Sequence, residues 1–282
     1  MKRDVRIART CAVEAVKDFH FREYAPFGWM LAAHLLFLIV ALNLEATPAM
    51  ATVGALGRAL YGDRAIHYPA FYLHLPSLAA VFEAFLYSVP GAVLIPLALI
   101  RTMAPMEPAS TRSQPIGPRL RSAFFPTLVV SLANVGILAG WQWLFQKGPG
   151  PFLTQAFPGF TGASLAWVVG VLGAYAIAAL FIYVPIVAVR PGTRFGEALG
   201  NGLAEGARLF WFTLTFIILY ALPVLPVLLI VQSRPDFIVA RMRPEIIPIA
   251  LMVYAVLISA ATYLTYAAAA RLHWAAARAE FE

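Results

Sequence analysis

SLAWVVGVLGAYAIAALFIYVPIVAV, residues 164–189, contains no charged side chain. A helix rises ~1.5 Å per residue, and about 20 apolar residues cross a hydrocarbon core of ~30 Å. The stretch therefore predicts a membrane span. Similar apolar runs occur on both sides of it, at about 25–44, 77–100, 123–146, 209–232 and 247–270. Together they predict an all-α, six-span integral membrane bundle.

Composition agrees. The chain is 61% hydrophobic and 12% charged, with a mean hydropathy of +0.76. Soluble domains carry about 25% charged residues. The longest gap between spans, 45–76, is too short for a second core. The expected organisation is an amphipathic segment at 1–24, the six-span domain at 25–270 and a tail at 271–282. The run at 25–44 is longer than a signal-peptide apolar core, so it reads as a retained span. Cys11 is the single cysteine, which excludes an internal disulfide and reads as a small apolar filler.

The net charge of +7 belongs to the span flanks rather than to a nucleic-acid surface, so no nucleic-acid partner is expected. Fifteen of the Lys and Arg residues fall in the N-terminus, the second and fourth loops and the tail. Six fall in the other loops. The positive-inside rule then expects both termini in the cytoplasm, in the orientation of a bacterial inner-membrane protein. A re-entrant fifth span, containing Pro223 and Pro226, would reverse the C-terminal half.

Immediately after 164–189 comes an amphipathic run. Arg194, Glu197, Asn201, Glu205 and Arg208 form a polar stripe, and Phe195, Leu199, Leu203 and Phe210 an apolar one. Residues 2–22 repeat the design, with Val5, Ala8, Ala12, Val16 and Phe19 near one face. Arg119 and Arg121 offer a shorter version before the third span. This predicts basic interfacial helices before the odd-numbered spans, in contact with anionic lipid. It also suggests three helix-plus-hairpin units. Trp29, Trp141, Trp143, Trp211 and Tyr183 near span ends read as interfacial anchors. Residues 52–61 read as a short surface helix, and 104–118, rich in Pro, Ser and Thr, as a mobile loop.

Ionisable groups inside spans are functional candidates by default. His34 and Glu83 qualify, with Asn43 as a further partner for Glu83. Asn134 and Gln142 add polar groups to the third span. One reading is a polar pocket or proton path between the first two spans; the other is a structural hydrogen bond joining them. Gly136 and Gly140 predict close helix packing within the chain. There is no HExxH, GxSxG or Walker A sequence, and no paired-carboxylate span. No metal or other cofactor is expected, and these absences argue against an enzyme.

The run Arg194-Phe195-Gly196-Glu197-Ala198-Leu199, continuing to Gly206-Ala207-Arg208-Leu209-Phe210-Trp211, resembles a known pattern. It is similar to the interfacial helix in bacterial multi-span domains associated with glycerophosphodiester phosphodiesterases, and in related stand-alone membrane proteins. The resemblance covers mainly residues 190–232. It implies six spans with both termini inside. Where those domains have a serine near mid-run, this chain has Asn201-Gly202. No catalytic residue carries over, because the phosphodiesterase domain is missing. Two functions compete: a non-enzymatic accessory or scaffold subunit bound to other membrane proteins, and a permease subunit of an ABC-type exporter served by a separate ATPase.

Overall fold

The computed structural model describes residues 2–43, 48, 50–147, 151–152, 155, 160–227 and 243–279. The fold is all-helical, without strands among the described residues, and six helices are long and apolar enough to span a membrane. The protein is a multi-pass membrane protein. Helices are what a chain in hydrocarbon must form, because each peptide group finds its partner within its own segment.

Helix α1 (Lys2–Lys17) precedes the first span, α2 (Phe21–Leu42). A short α3 (Ala55–Tyr61) follows on the far side, where a surface helix was expected. The second span is two helices, α4 (Ala70–Ser88) and α5 (Gly91–Met103), broken at Val89-Pro90. Pro90 has no N–H to continue the ladder. After the short α6 (Ala109–Arg112), α7 (Ile116–Lys147) forms the third span. The fourth joins α8 (Phe160–Phe181) to α9 (Tyr183–Ala188) through Ile182. Then come α10 (Phe195–Arg208), α11 (Phe210–Ala221) and α12 (Ile246–Ala279).

Helix α12 is the hub, packing against α1, α2, α4, α5, α9 and α11. It continues past the expected span end at residue 270. Its last turns are alanine-rich, and alanine is the strongest helix former. One core cluster joins Phe27, Met103, Tyr183, Ile186 and Ala267–Ala270; a smaller one at the far end joins Leu38, Phe71, Leu75, Ile247 and Leu251. Both termini lie at one end, where Arg271 pairs with Asp18 at 3.1 Å.

The amphipathic helices α1 and α10 are present, but apart from Ile7 the contact with the bundle is made mainly by small residues. Helix α1 buries Ala8, Cys11, Ala12 and Ala15, while Val5, Val13 and Val16 remain exposed. The Tyr220 hydroxyl donates to the Ala12 carbonyl at 2.7 Å, fastening α1 to α11. Helix α10 buries Ala198, Gly202 and Gly206 against α8 and α9, while Phe195 and Leu203 face outward. Small residues let two backbones approach, and the larger ones are left for lipid. The lead-in to the third span differs. Pro118 sits in the first turn of α7, where proline is tolerated, so the segment runs straight into the span. The three units are thus unequal.

Close approach is tightest at Gly206, where a Cβ would collide with the Leu180 carbonyl oxygen. We expect Gly206→Val to detach α10, lowering the thermal midpoint and letting trypsin cut after the already exposed Arg194 and Arg208. The cost is at least ~1–3 kcal/mol. Gly200 has open space, and Gly200→Ala should leave the protease pattern unchanged.

Candidate functional site

The in-span polar residues do not converge on one point. Helix periodicity turns Phe82 toward the first span, where its ring lies 6.2 Å from His34 and stacks on Phe37 at 4.4 Å. Glu83, one residue on, therefore points elsewhere. His34 is buried, and its Nε2 has no hydrogen-bond partner among the described residues. Asn43 is exposed and donates to the Ile39 carbonyl of its own helix at 3.3 Å. The expected pocket between the first two spans is therefore not formed by these three residues.

Glu83 instead lines a cavity of about 610 Å³ bounded by α4, α7, α8, α11 and α12. Asn134 lies on the same wall. The side chain of Gln142 lies outside the described residues. Tyr254 of α12 donates from its hydroxyl to Glu83 Oε1 at 3.4 Å. Tyr87, Tyr175, Tyr266 and Thr262 also face the space, and the remaining wall is mostly Ala, Val, Ile and Leu. Asn134 Oδ1 is buried without a hydrogen-bond partner among the described residues. The helix breaks at Val89-Pro90 and Ile182 lie beside this cavity. Tyr87 and Ile95 flank the first, and Phe181, Ile182 and Pro185 line the second. Interrupted helices commonly surround binding sites in membrane proteins. The five tyrosine and glutamate side chains come from three helices distant in sequence, so no motif announces them.

A Cβ added at Gly136 or Gly140 of α7 would meet nothing within 4 Å, so these glycines do not provide the expected close packing. Gly173 does. A Cβ there would overlap the Trp141 ring, and the Trp141 indole N–H donates to the Gly170 carbonyl at 3.0 Å. Trp141 thus packs between helices, whereas Trp29 and Trp211 are more than 70% exposed, as anchors would be.

The second polar centre lies at the terminal end. Glu107, in the loop expected to be mobile, is 3% exposed. Arg119 grips its carboxylate with both terminal nitrogens, Nη1 at 2.9 Å, and its Nε donates to the Val189 carbonyl at 2.9 Å. Arg112 donates to the Pro105 and Glu107 carbonyls, each at 3.2 Å. The loop is pinned. A buried, forked pair of this kind holds geometry because either partner alone would be a stranded charge.

Nearby, Asn201, Glu205 and Arg208 of the α10 stripe face Arg190 and His273 across a cavity of about 360 Å³. Arg208 pairs with Glu205 Oε1 at 2.7 Å, and His273 Nδ1 approaches the same oxygen at 3.1 Å. Arg190 contacts His273 Nε2, and its guanidinium lies 5.4 Å from the Trp274 ring. Burial alone would raise the Glu205 pKa. Hydrogen bonds from His273 and Arg208 outweigh it and hold the carboxyl below its ordinary value. Glu197 instead caps its own helix, accepting from the Arg194 backbone N–H at 3.0 Å. Arg190 and His273 are hard to find in the sequence: one looks like a loop charge and the other like part of a tail. Among the described residues, no three His, Cys, Asp or Glu side chains group as metal ligands.

No family model matches the chain, and comparisons with curated proteins and with solved structures yield no match.

Removing Glu107 strands the Arg119 guanidinium. We expect Glu107→Ala to cost ~3–5 kcal/mol, read as a lower unfolding midpoint in detergent. The double variant Glu107→Leu, Arg119→Met should recover much of that loss. Disrupting the exposed Arg58–Asp63 pair should cost under ~1 kcal/mol.

Proposed function

We propose that this protein is a non-enzymatic membrane component that binds a largely apolar molecule bearing one cationic or donor-rich group. This is the transport-type function. The observation that carries it is the Glu83 carboxylate, accepting from Tyr254, on the wall of an apolar cavity of about 610 Å³. Ligand pockets of this size, with few polar groups among apolar walls, are typical small-molecule sites. A carboxylate at span depth is costly without a use. The unsatisfied Asn134 oxygen adds a second acceptor. A purely scaffolding role draws on the basic amphipathic helices, but it gives no reason for a carboxylate and tyrosines around a cavity. The resemblance of residues 190–232 to the phosphodiesterase-associated domains fits the architecture and adds no chemistry.

A lipophilic cation, tetraphenylphosphonium, is the direct probe. Wild-type protein in nanodiscs should bind it saturably. Glu83→Gln should weaken binding about tenfold or more, the effect of losing ~1.4 kcal/mol, without moving the unfolding midpoint. Equal affinity in the variant would refute the assignment.

Support for placing the terminal end in the cytoplasm of a bacterial inner membrane comes from the positive-inside distribution. Ser113 and Asp63 are exposed at opposite ends of the bundle. An impermeant maleimide should label Asp63→Cys in intact cells and Ser113→Cys only after permeabilisation. Cys11 should give little background at neutral pH. Burial, and secondarily Glu14, push its thiol up to about 11, so the reactive thiolate is scarce below that pH. Cys11 labelling should rise as pH climbs toward 11.

A further inference from the structure

We infer that the cavity between α9, α10 and α12 is a binding site for a net-anionic phosphate group. This inference is independent of the Glu83 site.

The arginines of the terminal end provide the first argument. Arg119 is matched by Glu107, Arg208 by Glu205 and Arg271 by Asp18. Arg190 differs from these three. It is half-buried at the cavity wall, held by His273 and the Trp274 ring, with no carboxylate in ion-pair range among the described residues. Burial works against its charge, while Glu205 and Glu107 favour it only from a distance. A cation so placed is short of an anion.

The second argument is the charge of the cavity. His273 donates from Nδ1 to Glu205 and accepts from Arg190 at Nε2, an arrangement that requires the neutral ring. Among the described residues, two guanidiniums then face one carboxylate, leaving one net positive charge. The carboxylate does not repel an incoming anion strongly, because Arg208 and His273 both cover Glu205 Oε1. Asn201 adds an uncharged amide. Forked guanidinium nitrogens match the geometry of phosphate oxygens, which a single ammonium does not.

The third argument is depth. Val187 and Ala277 line the cavity, and the fourth and sixth apolar spans end at Ala188 and Ala277. By the 20-residue length of the fourth span, the site sits where hydrocarbon gives way to headgroups. Basic pockets between spanning helices at this level suit anionic headgroups. Phe195 and Leu203 of α10 are exposed elsewhere on the same helix, where acyl chains can cover them. A soluble phosphate ester would use the same donors.

The test compares nanodiscs of phosphatidylcholine with nanodiscs containing added phosphatidylglycerol, reading the unfolding midpoint and lipid retained in native mass spectrometry. Wild-type protein should gain stability with phosphatidylglycerol and retain it. Arg190→Gln should lower retention about tenfold, with its midpoint in phosphatidylcholine unchanged. Arg190→Lys should recover part of the retention. Arg6→Gln, a basic change outside the cavity, should leave it intact. Should Arg190→Gln misfold, Asn201→Leu on the exposed face of α10 serves as the second variant, with a smaller loss. In a separate arm, glycerol 1-phosphate is added to phosphatidylcholine nanodiscs. A matching, Arg190-dependent gain there assigns the site to a soluble ester; no gain assigns it to lipid. Full phosphatidylglycerol retention by both folded Arg190→Gln and Asn201→Leu overturns the inference. So does the absence of any gain in wild-type protein with either probe.

Discussion

A peptide group in hydrocarbon can bond only to protein, and every break in a spanning helix has to be made good by some other donor. The architecture follows from how this chain meets that demand. At the α4–α5 break, the last regular bond runs from the Val89 N–H to the Phe85 carbonyl at 3.0 Å, and the ladder resumes with the Val93 N–H on the Pro90 carbonyl at 3.1 Å. Past α9, Arg119 supplies a donor to the Val189 carbonyl. Both helix interruptions border one space, lined near them by Tyr87, Ile95, Phe181, Ile182 and Pro185. That space is the intramembrane cavity.

The charged residues follow a complementary rule. Several of those nearest the apolar region are fastened to partners on other helices. Glu107 and Arg119 link the end of α5 to the start of α7 and, through Val189, to the end of α9. Glu205 and His273 link α10 to α12, and Asp18 and Arg271 link the end of α1 to α12. These contacts ring the terminal end of the bundle. Arg190, on the wall of the small cavity, has no carboxylate in ion-pair range among the described residues, which gives that cavity its sign.

Amphipathic helices α1 and α10 use mainly small residues for protein contact and leave most of their valine, leucine and phenylalanine outside. In a soluble protein the larger apolar residues would face the core, because water is the alternative. In a membrane the alternative is lipid, which is as apolar as leucine. Contact then favours whichever face lets backbones approach, as Gly202 and Gly206 do against Val184 and Leu180. The sequence pattern identified both helices but not which residues dock, since hydrophobicity alone cannot rank faces when the solvent is hydrocarbon.

Length and charge of the apolar runs determined the fold class, the six spans and the short helix at Ala55–Tyr61. These are local properties: a run of apolar side chains has one low-energy structure in a bilayer, wherever its neighbours lie. The sequence also singled out Glu83, Asn134, Asn201, Glu205 and Arg208, because polar groups in or beside spans stand out against their surroundings. Tertiary structure alone decided their company. Helix rotation separated Glu83 from His34 and gave it Tyr254, some 170 residues away. The continuation of α12 to Ala279 carried His273 to Glu205, and the folding back of 104–115 brought Glu107 to Arg119. Such pairings depend on helix rotation and on where helices end, and neither is written in the periodicity of a uniformly apolar run.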